Sequence, residues 1–295
     1  MDQPQVFGAF VRRYGATFRT SAYIKWGTSR QSLGSVLILN PGSADFEKMN
    51  PRLGAKLKQM GAAMGKIQPD PTMDQLIRLV NQIYEGHPAG KLQIYNLFNL
   101  QSTYSAQAIN NFEQLACTGK ITPNESLATP DELQSHPWIL IGWGLHRKND
   151  WKNLQKAKKL WMEKIKTAGI PVFGKQNDKG DYYHPAPLLK AKRDWILSEL
   201  TNQFNTEIKP LIPYEKLIQR RYTLLKWNGK SGAEAHYIVK DNNDGTQSLI
   251  ADGREPVWFH LDLAGDPAVA DWRSDQGNNF DNIRQLAPRP SQSKE

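Results

Sequence analysis

The chain has 295 residues, 39% hydrophobic and 23% charged, with a formal net charge of +9. It is long enough for one sizeable α/β domain and a smaller companion, and no apolar run approaches the roughly 20 residues of a membrane-spanning helix. A single cysteine, Cys117, excludes an intramolecular disulfide and any four-thiolate zinc or iron–sulfur centre built by one chain.

Met1–Tyr14 carries charges and a proline where a secretory leader needs an apolar core, so a soluble, cytoplasmic protein is expected. The charge is uneven. Residues 1–210 hold 27 Lys and Arg against 17 Asp and Glu, whereas residues 211–295 hold 11 against 12. The basic excess therefore belongs to the larger part and suits a polyanion partner, although many basic proteins bind no nucleic acid.

In chain order, Ser35–Leu39, Leu92–Tyr95, Trp138–Ile141 and Ile170–Phe173 are short apolar runs that predict buried parallel strands. Pro51–Met64, Thr72–Tyr84 and Trp151–Thr167 place apolar residues at helical spacing between them, and Lys190–Phe204 reads as a closing helix. The alternation predicts a three-layer α/β/α sandwich with a mostly parallel central sheet, its ligand crevice beyond the carboxyl ends of the strands. That domain is expected over residues 1–206, with Glu207–Pro213 as a linker broken by two prolines.

A different pattern follows over residues 214–286. Tyr222–Trp227, His236–Lys240, Gln247–Ala251 and Val257–Leu261 are strand-like runs separated by Gly- and Asn-containing turns, which predicts a small antiparallel β domain. Trp227, Trp258, His260 and Trp272 suit its core or a stacking face, and no chemistry is assigned to them. Residues 287–295 read as a disordered tail.

Four segments stand at strand ends in a fixed order: Leu39-Asn40-Pro41-Gly42, Ile94-Tyr95-Asn96-Leu97, Ile139-Leu140-Ile141-Gly142-Trp143-Gly144 and His184-Pro185-Ala186-Pro187-Leu188. Each alone is a buried strand ending in a polar residue or a Gly/Pro turn. Together, over roughly residues 35–204, they resemble the motifs of the uracil-DNA glycosylase superfamily, whose members carry GQDPYH or GINPG, LLLN, LLWG and HPSPL segments in that order.

The resemblance implies a monofunctional DNA glycosylase, acting in repair or in defence against phage, with DNA as partner and neither metal nor cofactor. Asn40 takes the place of the water-holding residue, and an amide orients water rather than deprotonating it. Asp45 either assists it or caps the next helix. Pro41, Gly42 and Ser43 complete the turn.

Asn96 falls where the family reads the pyrimidine edge, though an isolated Asn at a strand end is a common turn residue. His184 matches the histidine that hydrogen-bonds the leaving base. Leu188 matches the wedge that fills the duplex when a nucleotide is flipped, or else begins the apolar face of the next helix. Pro185 and Pro187 stiffen that loop, and Lys190, Lys192 and Arg193 suit phosphates. No lysine lies within the four motifs to form a Schiff base.

Two departures bear on the substrate. Strict uracil enzymes follow the motif proline with a tyrosine that blocks C5 of the base, whereas Gly42 and Ser43 stand here; a C5-modified pyrimidine, such as thymine or a hydroxymethylated or glucosylated base, is therefore expected. The family's stacking aromatic is absent from its usual place, where Arg52 and Leu53 stand, which leaves Phe46 and Phe98 as candidates.

Arg147 and Lys148 open a cationic run through Lys166, with Trp151 and Trp161, that suits either a DNA backbone or a solvated helix face. Two other readings stay open. One is a catalytically silent binder of modified or damaged DNA, with a protein partner on the C-terminal domain; the other is an α/β enzyme holding a nucleotide or phosphate at the Asn40–Ser43 turn.

Overall fold

The computed structural model describes residues 3–212, apart from 47, 86 and 87, and the backbone of five strands beyond residue 220. Its contacts divide the chain into one compact unit, Pro4–Ile212, and a second made of Met1–Gln3 with Pro213–Glu295.

The first unit is α/β, as expected. Its strands are β1 (Gln5–Arg13), β2 (Ala16–Trp26), β3 (Ser32–Ile38), β4 (Ala62–Lys66), β5 (Gly90–Asn96), β6 (Ile139–Gly142) and β7 (Val172–Phe173), in the sheet order β4-β1-β2-β5-β3-β6-β7. The expected apolar runs form the parallel part, β5-β3-β6-β7. β1, β2 and β4 add an antiparallel edge, so the sheet is mixed.

Helices α1 (Pro51–Met60), α2 (Pro71–Ile83), α3 (Ser105–Cys117), α4 (Pro130–Gln134), α5 (Lys152–Ala168) and α6 (Ala191–Gln203) cover the sheet. Side chains alternate across the central strands, as the pleat requires. Leu37 and Leu39 of the β3 segment and Ile139 and Ile141 of β6 pack with Ile109 and Phe112 of α3 and Leu154 and Trp161 of α5. On the other face, Trp26 Nε1 reaches Asn81 of α2 at 3.1 Å. Trp138 packs edge-on against Phe173 and Phe204.

Three boundaries differ from the sequence reading. The helix expected to reach Met64 stops at Met60 because Gly61 takes a left-handed conformation (φ 74°), and Ala62–Lys66 then pairs with β1. Residues 207–212 are not a linker: helical turns continue α6 to Leu211, and Phe204, Ile208 and Ile212 are buried. Helix α3 and the short α4, which the apolar spacing does not announce, both lie in the connection between β5 and β6.

In the second unit β8 (Arg221–Lys226), β9 (His236–Asp241), β10 (Gln247–Ala251), β11 (Val257–Phe259) and β12 (Ile283–Arg289) form an antiparallel sheet ordered β11-β10-β9-β8-β12. β12 pairs with β8 from Ile283 to Arg289, with a register shift between Ile283 and Leu286. Trp227, His260, Trp272 and residues 290–295 lie outside the described residues.

Candidate functional site

Strand register assembles the four segments. Ile38 at the end of β3 pairs with Asn96 on one side and with Gly142 on the other. The residues that follow these strands must therefore emerge together at the carboxyl edge of the parallel strands, where such sheets bind ligands. The fourth segment reaches the same edge because Gly142 has no side chain: a Cβ there would lie 2.6 Å from Pro185 Cδ.

Asn40 is 8% exposed. Its Nδ2 donates to the carbonyls of Pro41 (2.8 Å) and Ser102 (3.0 Å), which fixes the orientation of the amide. Among the described residues nothing donates to Oδ1, which stays an available acceptor. The turn itself is stitched down by Ser102 N–H to Pro41 O and by Gln101 Nε2 to Ala44 O, both at 3.0 Å. Ser43 is exposed and Pro41 is buried.

Asn96 is 4% exposed, and its Oδ1 is shut in without a hydrogen-bond partner. Leaving such an atom unsatisfied costs about 1–3 kcal/mol, so a donor from water or a ligand is the natural complement. His184 is half-buried; burial lowers its pKa, opposed by its contact with the Ala186 carbonyl and by the charge of Asp70. Its Nδ1 lies 3.1 Å from both the amide nitrogen and the carbonyl oxygen of Ala186. Either tautomer thus ties Nδ1 to its own loop and leaves Nε2 for other partners.

The loop that carries His184 is braced from both ends. Arg193 Nε donates to Pro187 O at 3.0 Å, and Gln75 of α2 holds the Arg193 carbonyl at 2.7 Å. Tyr183 N–H reaches Lys175 O at 2.8 Å. Beyond the brace Leu188 is 97% exposed and Leu189 64% exposed, beside exposed Lys190 and Lys192. Leu188 therefore does not begin the apolar face of α6, which starts at Ala191 and buries Ile196, Leu197 and Leu200.

Several sequence candidates are committed elsewhere. Phe46 is buried edge-on against Phe10 at 5.0 Å, and Phe98 is stacked on Phe112 at 4.5 Å in the α3-side core. Neither ring offers an open face to a base. The cap of α1 is Asn50, not Asp45, whose carbonyl instead accepts from Gln68 N–H at 2.9 Å.

Arg147 pairs with buried Asp181 at 2.9 Å, and Lys158 joins the same carboxylate at 3.0 Å, so this part of the cationic run braces the loop before His184. Lys148 lies over the Trp151 ring at 4.9 Å. Trp151 and Trp161 themselves are core residues.

A further polar residue stands at the site from outside the four segments. Asp70, 6% exposed, caps α2 through Oδ1, which accepts from Thr72 and Met73 N–H at 3.0 Å each. Its Oδ2 overhangs Gly42: a Cβ at that glycine would sit 2.6 Å from it. Arg19, 1% exposed on β2, has Nε and Nη1 without partners. Burial lowers its pKa to about 10 against the opposing pull of Asp70. The Asp70-Pro71 pair was a readable helix start, but nothing local marks Arg19 as buried.

Among the described residues no group of three or more His, Cys, Asp or Glu side chains is gathered to hold a metal, and no helix is long and apolar enough to cross a membrane. No protein-family model, no curated protein and no solved structure matches the chain.

Proposed function

We propose that the chain is a monofunctional DNA glycosylase that hydrolyses the N-glycosidic bond of a flipped, C5-modified pyrimidine and leaves an abasic site. The supporting observation is the convergence of the Asn40, Asn96 and His184 segments at one sheet edge, with Asn96 Oδ1 lacking a hydrogen-bond partner, beside an exposed leucine on a braced loop.

Each part has a task in that reaction. Leu188 enters the duplex in place of the flipped nucleotide, and Lys190 and Lys192 hold adjacent phosphates. Asn96 engages the polar edge of the base. As the C1′–N bond breaks, its electron pair stays on the base and the sugar becomes oxocarbenium-like. His184 Nε2 offers a hydrogen bond to the anionic base, and Asn40 Oδ1 accepts one from the water that attacks C1′. The attacking water loses one proton to solvent, and the departing base regains one.

The test exposes duplexes bearing uracil, a thymine mismatch, 5-hydroxymethylcytosine or its glucosylated form to the protein and to Asn40→Ala. Released base is identified by mass spectrometry, and abasic sites by alkaline cleavage. The expected result is release from a modified duplex that falls by about 100-fold or more in the variant. Binding to the duplexes without release from any of them would favour a silent DNA binder instead.

A further inference from the structure

The helices leave one side of the antiparallel edge bare. A register row crosses six strands through Ile139, Ser35, Gln93, Tyr23, Phe7 and Lys66. Residues paired in register share one side of a sheet, here the side on which α3 and α5 pack over Ile139. Burial falls along the row: Ile139 and Ser35 are fully buried, Gln93, Tyr23 and Phe7 are half-exposed, and Lys66 is exposed. Along β2, Ala22, Ile24 and Trp26 are buried on one side, whereas Ser21, Tyr23 and Lys25 on the other are not.

The bare side combines aromatic rings with cations. The Phe7 and Tyr23 rings are stacked 5.0 Å apart, their planes 16° from parallel, and Lys91 Nζ lies 4.8 Å over the Tyr23 ring. Met64, two residues before Lys66 on the same side, is 76% exposed. β1, β2, β4 and β5 contain no Asp or Glu. Lys25 and Lys91 are paired in register, and like charges directly opposite each other are destabilising. None of Lys25, Lys66 and Lys91 pairs with a carboxylate among the described residues.

A polyanion relieves that repulsion. An acidic protein would meet the lysines but offers no flat base to the rings, and duplex DNA keeps its bases paired inside. An unpaired strand supplies both phosphates and accessible bases.

We infer that this side of β4-β1-β2-β5 binds single-stranded nucleic acid, with bases against Phe7, Tyr23 and Met64 and phosphates on Lys25, Lys66 and Lys91. The surface lies toward the start of β5, around Lys91 and Gln93, whereas Asn96 ends that strand. It does not depend on the reaction proposed at the carboxyl edge.

The test measures, by fluorescence anisotropy, binding of the full chain to labelled thymidine DNA and uridine RNA strands of about 12 nucleotides, a length within the span of one such site. The variants are Tyr23→Ala, the triple Lys25→Gln/Lys66→Gln/Lys91→Gln and, as control, Leu188→Ala/Lys190→Ala/Lys192→Ala. Tyr23→Ala is expected to weaken binding at least about 5-fold, the low end for one base stack. The lysine triple should lower the slope of log affinity against log salt by about 2, as three phosphate contacts on a single strand require. The control should bind as wild type does.

Where Tyr23→Ala fails to fold, the lysine triple decides alone, because removing like charges in register should leave its melting temperature no lower than that of wild type. Binding of either strand with these losses supports the inference. Losses confined to the Leu188-loop variant, no binding of either strand, or preference for a duplex over both would overturn it. So would a dimer, seen by sedimentation, that the lysine triple dissolves, since a second copy would then occupy the face. Base release by these variants is scored separately and bears on the glycosylase reading alone.

Discussion

Gly42 shows how one residue is constrained by what folds over it. Its missing side chain makes room for Asp70 Oδ2, which the α2 cap cannot surrender without losing two hydrogen bonds. Gly42→Ala should destabilise the first unit by about 1–3 kcal/mol, the range for overpacking a fixed contact, read by urea denaturation. An unchanged midpoint would mean that the carboxylate swings away freely.

His184 and Leu188 make the opposite case, since each looks ordinary until its surroundings are seen. Leu188, at 97% exposure, contributes almost nothing to folding. Leu188→Ala is therefore expected to alter stability by less than about 0.5 kcal/mol while weakening base release from duplex more than from single-stranded DNA. Equal effects on the two substrates would remove the wedge role.

At the scale of elements, a polar chain centred on buried Tyr95 and His136 joins β3, β5 and α4. Ser32 Oγ lies 2.6 Å from His136 Nδ1, Tyr95 OH lies 2.9 Å from His136 Nε2, and that hydroxyl donates to Glu132 Oε1 at 2.7 Å. Tyr95 uses its only proton on Glu132, so His136 Nε2–H must donate to it. Nδ1 then accepts from Ser32, and the ring is neutral. Burial lowers the His136 pKa from 6.5 to about 4.

A histidine whose folded pKa is depressed keeps its contribution above the unfolded value and loses it as pH falls. Stability is thus expected to drop by about 3 kcal/mol between pH 6.5 and pH 4 from this residue. The difference in urea stability between wild type and His136→Gln, followed across that range, isolates it. A pH-independent difference would dismiss the neutral imidazole.

The elements also show how much of the fold was readable. β3 and β6 are visible because strands buried on both faces are continuous apolar runs, β5 because Leu92, Ile94 and Tyr95 cluster despite half-exposed Lys91 and Gln93, and the site segments follow them directly. β1 and β2 were missed because one face alternates with half-exposed residues and a bulge between Ala9 and Phe10 breaks the register. Residue type and position alone make Phe46 and Phe98 stacking candidates. Whether a ring is free depends on Phe10 and Phe112, which reach it from other elements.

For the whole molecule, the unit Pro4–Ile212 holds the candidate site and all of the net positive charge. If its phosphate contacts are those of the Leu188 loop and neighbouring lysines, affinity for duplex DNA should fall at least about 10-fold between 50 and 200 mM salt. Fluorescence anisotropy across that range would read it. A flat salt response would point to a small-molecule ligand.

By itself the sequence determined the α/β class, the parallel strands and the order of the four site segments, because burial on both faces and Gly/Pro punctuation are local properties of the chain. Only the tertiary structure decided that Asn40 presents an acceptor, that Leu188 projects outward, that Arg147 is tied to Asp181, and that Asp70 packs against the Gly42 turn. Those facts depend on contacts between residues far apart in the chain. A carboxylate 28 residues after Gly42 reaches it only when α2 packs over the sheet, and a strand arginine becomes an unpaired buried cation only when the loops around it close.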